Sequence, residues 1–67
     1  MRHYATEAPF VVSTKSGGIK STHWTSKGAI DAAKASKTLR LVHGRDNGYW
    51  RVLLAFKEGK RVEYAEH

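Results

Sequence analysis

TLRLVHGRDNGYWRVLLAFKEGKRVEYAEH, residues 38–67, is the stretch that decides the fold. Apolar and polar residues alternate on either side of two glycine-bearing turn signals, Asn47-Gly48 and Lys57-Glu58-Gly59. That period of two belongs to strands with one buried face. An Asn-Gly pair is the strongest short hairpin signal, because both central residues of a type I′ turn need positive φ. Such a turn sets Arg45 against Trp50, Leu41 against Leu54 and Leu39 against Phe56. For the second hairpin, a three-residue Lys57-Glu58-Gly59 loop with Gly59 left-handed at a bulge sets Leu54 against Val62 and Val52 against Tyr64. A two-residue Glu58-Gly59 loop would put Phe56 beside Arg61, so apolar matching favours the longer loop. The expected core face is then Leu39, Leu41, Trp50, Val52, Leu54, Phe56, Val62 and Tyr64.

Working outward, Phe10 to Thr14 and Ile19 to Trp24 read as two strands joined by a Ser16-Gly17-Gly18 turn. A three-residue loop pairs Phe10 with Trp24, and a two-residue Gly-Gly loop pairs Phe10 with Thr25; the former is preferred. Thr25-Ser26 offers an N-cap for a helix over Lys27 to Lys37. Ala29, Ile30, Ala33 and Ser36 form its sheet-facing stripe, Lys27, Asp31 and Lys34 its water side, and Lys34 and Lys37 complement the dipole at its end. The order ββαβββ predicts an α+β fold, one antiparallel sheet of about five strands with a single helix packed on one face. Residues 1–8 and the last two or three are expected to be mobile.

Sixty-seven residues form one domain, which buries only about 60% of its unfolded surface and has no room for a deep cleft. Cysteine is absent, so there is no disulfide framework and no thiolate zinc site, and a reducing compartment such as cytoplasm is expected. No stretch approaches the roughly 18 apolar residues that span a bilayer, so the chain is expected to be soluble, unprocessed and without a membrane partner. It is expected to be a monomer or weak dimer. Twelve Lys+Arg against six Asp+Glu leave a net charge of +6. Such a balance attracts phosphate polyanions, anionic lipid or acidic protein surfaces.

The face opposite the core is expected to expose Arg40, Val42, Arg51, Leu53, Ala55, Arg61 and Glu63. In the expected registers Arg40 and Arg61 flank Ala55 in one row, with Arg51 near Leu53. Guanidiniums around an aliphatic floor fork onto phosphate or carboxylate oxygens. At the hairpin tip, Gly44 and Gly48 leave Arg45 free to approach a phosphate, and Tyr49 can stack on an unpaired base. The candidate binding set is therefore Arg40, Arg45, Tyr49, Arg51, Leu53 and Arg61.

Catalytic chemistry finds little to work with. His3, His23, His43 and His67 show no metal-binding spacing, and the carboxylates form no acid–base pair. His43 falls opposite Val52 at the core margin, the place of a structural histidine. Ser26 and the hydroxyls near His23 lack an orienting third group and suit capping and strand roles. No cofactor is expected, and the chain reads as a non-enzyme.

The block Leu54-Ala55-Phe56-Lys57-Glu58-Gly59-Lys60-Arg61-Val62-Glu63-Tyr64, preceded by Ala32-Ala33-Lys34-Ala35-Ser36-Lys37, resembles the C-terminal hairpin and helix of small phage-encoded type I-F anti-CRISPR proteins. The opening ββα order also looks like small phage inhibitors of host enzymes. The resemblance implies a phage or mobile-element protein that binds a host nucleoprotein machine, and it transfers no functional residue. Two functions follow as expectations. One is a basic module that binds nucleic acid through its backbone without sequence specificity, or that binds the nucleic-acid groove of a nucleoprotein machine. The other is an inhibitor or adaptor that binds an acidic surface of a host protein.

Overall fold

The structure, a computed structural model, describes residues 6–64. Its elements are β1 (Phe10–Ser13), β2 (Ile19–His23), α1 (Ser26–Lys34), β3 (Arg40–Asp46), β4 (Tyr49–Lys57) and β5 (Lys60–Val62). Every pairing is antiparallel, in the order β2-β1-β3-β4-β5, with α1 packed on one face. The α+β class and the ββαβββ order are as expected. Of the segments expected to be mobile, residues 1–5 and 65–67 lie outside the described residues. Among the rest, Ala8 is buried and its N–H donates to Thr6 Oγ1 at 3.2 Å. Among the described residues no helix is long and apolar enough to cross a membrane.

Thr25 caps the helix from an extended conformation, its Oγ1 accepting from the Gly28 N–H at 3.1 Å. Ala29 and Ala33 are fully buried, so the small-residue stripe lets the backbone lie close on the sheet. The helix ends at Lys34, short of the expected Lys37. Ser36 Oγ lies 3.1 Å from Thr38 Oγ1 and accepts from the Thr38 N–H at 3.3 Å, a local alternative to further helical turns.

Three registers differ from expectation, each for a backbone reason. In the first hairpin Phe10 pairs with His23 rather than Trp24, and the register shifts on reaching Ser13 and Ile19. The loop is longer than a Ser-Gly-Gly turn, closed by Thr14 N–H to Gly18 O at 2.9 Å and Gly17 N–H to Thr14 O at 3.0 Å. Trp24 is left beyond the strand, 70% exposed. In the second hairpin Asn47 and Gly48 take φ of 51° and 82°, and Arg45–Trp50 and His43–Val52 pair as expected. Leu53 then enters as an extra residue, and the register becomes Val42–Leu54, Leu41–Ala55 and Arg40–Phe56. In the third hairpin Glu58 and Gly59 both take positive φ, 54° and 77°, so the loop has two residues. Lys57 pairs with Lys60, Phe56 with Arg61 and Ala55 with Val62.

The bulge redistributes the core. Val12, Val42 and Phe56, with partly buried Phe10 and Leu54, form the helix-side cluster with Ala29 and Ala33. Val42, expected in solvent, is buried there. Leu41 and Trp50, expected beneath the helix, belong to the other face with Val11, Ser13, His43 and Ala55, all of them buried. Both faces of the sheet are therefore apolar where the strands are central. His43 is the structural histidine expected, 1% exposed, with Nε2 2.6 Å from Ser13 Oγ. The single Ser13 hydroxyl hydrogen is donated to Thr14 O at 3.1 Å, which makes Nε2–H the donor to Oγ.

Candidate nucleic-acid interface

The registers decide where each candidate arginine lies. Phe56 sits in one row between Arg40 and Arg61, so both arginines rise on the helix side and flank Phe56, not Ala55 on the opposite face. The row spans about 10 Å at ordinary strand spacing. Lys34, in the last turn of α1, carries its Nζ 5.7 Å from the Phe56 ring centroid, a cation–π contact. The carbonyl of Lys34 would lie 3.3 Å from a Cβ at Gly59, so the helix end abuts the β4–β5 turn. Lys57 and Lys60 close that turn and, one residue on from Phe56 and Arg61, project to the opposite side. Lys37 leads from the helix towards Arg40. The result is a basic end of the molecule built from Lys34, Lys37, Arg40, Lys57, Lys60 and Arg61.

Among the described residues none of these cations has a carboxylate within 4.0 Å, and the ion pair found is Lys27–Asp31 at 2.9 Å on the outer helix face. Arg40 is half-buried and donates from one guanidinium nitrogen to Leu39 O at 3.1 Å, which fixes its direction. Phe56 supplies a rigid apolar floor beneath Lys34.

The other candidates are separated from this end. Arg51 pairs with Gly44 and lies on the helix side near the Asn47-Gly48 turn, with exposed Tyr49 in the same column. Leu53 is the bulge residue, 46% exposed, lying over Gly44. Arg45 is tied into the fold. Its guanidinium donates to Thr6 O at 3.2 Å and Glu7 O at 2.9 Å, and stacks 5.5 Å from the Trp50 ring centroid. Its backbone N–H donates to Pro9 O at 3.1 Å, so Arg45 clamps the segment that leads into β1.

The six candidates thus divide into Arg40 and Arg61 at the basic end, Tyr49, Arg51 and Leu53 at the opposite end, and Arg45 as a structural clamp. Lys34, Lys37, Lys57 and Lys60 were missing from the set. Their signal was the two-residue reading of Glu58-Gly59, which places Arg61 beside Phe56 and next to the helix end. Among the described residues two serine–histidine pairs are present, but Ser13–His43 is inaccessible and Ser21–His23, at 2.8 Å, is a same-strand contact. Among the described residues no three His, Asp or Glu side chains converge to hold a metal. No family model matches the chain, and no curated protein or solved structure is similar to it.

Proposed function

We propose that this chain is a small non-enzymatic module whose basic end grips the phosphate backbone of nucleic acid, free or within a nucleoprotein machine. The observation that carries the reading is the Arg40–Phe56–Arg61 row with Lys34 over the ring, cations with no carboxylate within ion-pair distance among the described residues. Fixed guanidiniums meet phosphate oxygens in paired hydrogen bonds, and the flanking lysines add charge without directional demand. Contacts of this kind position a protein without reading sequence.

With about four phosphates neutralised, log affinity should fall against log salt with a slope near −3.6 on duplex DNA, roughly a hundredfold loss for a fourfold rise in salt. The Lys60→Glu, Arg61→Glu double variant should flatten that slope by about 2 and weaken two unrelated duplexes alike. A salt titration by fluorescence anisotropy measures both. Failure of the wild type to bind either duplex at low salt rejects direct binding. If the same cations are then required to capture a host protein after nuclease treatment, the inhibitor reading replaces it.

A further inference from the structure

β2 is the last strand on its side of the sheet, and the order β2-β1-β3-β4-β5 leaves its outer edge without a partner among the described residues. The helix does not cover that edge. It starts over β2, where a Cβ at Gly28 would lie 3.4 Å from His23 Nδ1, and it ends against the β4–β5 turn, so it leaves the edge as it runs.

Ladder geometry says which backbone groups of β2 face outward. The Arg45 N–H donates to Pro9 O at 3.1 Å, and hydrogen-bonded pairs recur at every second position, so in β1 Val11 and Ser13 bond to β3. Phe10 and Val12 therefore bond to β2, through His23 and Ser21. The bond from Thr14 N–H to Gly18 O, two positions beyond Val12, keeps the same alternation. Thr22, between Ser21 and His23, turns its N–H and C=O away from β1, and the residue is exposed. Outward edge groups of this kind are a template for another strand. Just beyond them stands Trp24, at 70% the most exposed large apolar residue among those described.

We propose that the outer edge of β2 pairs with the same edge of a second copy of this chain, antiparallel and centred on Thr22. With the two-fold axis at that residue, the outward groups of Thr22 exchange both hydrogen bonds with Thr22 of the second copy. In that register Thr22 meets itself, a Thr–Thr pair that suits a ladder, Ser21 falls opposite His23, and Lys20 falls opposite Trp24. The last pairing makes the edge complementary to itself: an exposed ammonium on each copy comes within cation–π reach of the exposed indole of the other. Other charge is kept apart. Lys27, on the helix near this edge, is paired with Asp31 at 2.9 Å. Lys60 and Arg61 lie on β5, four strand spacings or about 19 Å from β2, which exceeds two Debye lengths at physiological salt. The β1–β2 register shift at Lys20 limits the pairing to one short stretch, and an isologous contact closes on itself after one copy has added. About five residues a side fall well short of the roughly 20–30 of a stable complex, so the dimer is weak and forms at high concentration.

The edge uses none of the cations of the basic end, so it stands or falls apart from nucleic-acid binding. Sedimentation of the whole protein from about 0.01 to 1 mM should show a monomer passing into a dimer, as expected of an interface below ~1,200 Å². Thr22→Pro deletes an outward N–H and no bond to β1, a change that edge strands tolerate, and should abolish the dimer over that range. Trp24→Ala removes an exposed ring and should weaken the dimer at least about fivefold. Should Thr22→Pro not fold, amide exchange in the wild type decides: raising the concentration should slow the Thr22 amide and leave Ser21 and His23, already bonded to β1, unchanged. A dimer unaffected by Thr22→Pro or by Trp24→Ala in folded protein, or exchange at Thr22 that ignores concentration, overturns the proposal. A monomer at the upper concentration also overturns it, in favour of a foreign strand if a synthetic peptide alternating threonine and valine slows the Thr22 amide.

Discussion

Gly44 and Leu53 form the most consequential pair of residues in the sheet. A Cβ at Gly44 would stand 2.5 Å from Leu53 Cδ1 and 3.1 Å from its Cγ, so the bulge residue occupies space that only a glycine leaves open. Leu53 is half exposed and can swing away, but doing so gives up its seat against the strand. Gly44→Ala is expected to cost about 1–3 kcal/mol as an overpacking change. In a Leu53→Ala background the same substitution should cost less than half as much, a coupling that urea denaturation of the four proteins in the cycle measures. Equal costs in both backgrounds would show that Gly44 answers to something other than Leu53. Arg45 shows the same economy by different means: its guanidinium is committed to two carbonyls and a ring, so an exposed arginine at a hairpin tip contributes to folding.

Among the elements, the two hairpins of the C-terminal half differ in how well their turns suit them. Asn47-Gly48 places the residue most tolerant of the left-handed region before a glycine, whereas Glu58 holds φ of 54° with a branched-off side chain that gains nothing there. Glu58→Asn is expected to stabilise the protein by about 0.5–1 kcal/mol, read as a raised urea midpoint with an unchanged slope. This mismatch is also why that turn was misread. Asn47-Gly48 announces its geometry, and the pairs nearest it, Arg45–Trp50 and His43–Val52, follow directly. Glu58-Gly59 carries one suitable residue of two, and a longer loop matched Leu54 to Val62 better on hydrophobicity alone. Leu53 was illegible for a related reason: a bulge adds one residue without breaking the alternation on either side of it. Val52-Leu53-Leu54-Ala55 is apolar throughout, so no polar residue marked the place where the faces exchange. Arg40 and Arg61 were correctly drawn into one row, but around the wrong neighbour. The lysines that complete that end form one cluster only when the helix terminus and the turn come together.

At the scale of the whole molecule, a charge of +6 on so small a body opposes its own compactness. Screening should relieve this, so raising salt from about 0.02 to 0.2 M is expected to stabilise the fold by about 0.5–1 kcal/mol, a rise of a few degrees in Tm by circular dichroism. Affinity for nucleic acid should fall over the same range, and a Tm insensitive to salt would mean that the cations are spaced too widely to repel. The sheet order has a kinetic consequence. β2 reaches its partner β1 across a short loop, and β4 and β5 follow β3 as a meander, so each half can form within microseconds of collapse. Among the strands, the seam between β1 and β3, where Val11 meets His43 and Val12 meets Val42, joins them across an intervening segment of about thirty residues that contains β2 and the helix, and the helix packs across both halves. The slow event in folding is therefore the closure of one seam, and before it closes the chain exists as a hairpin and a three-stranded meander with open edges, the form in which a crowded cell would find it most prone to mispairing.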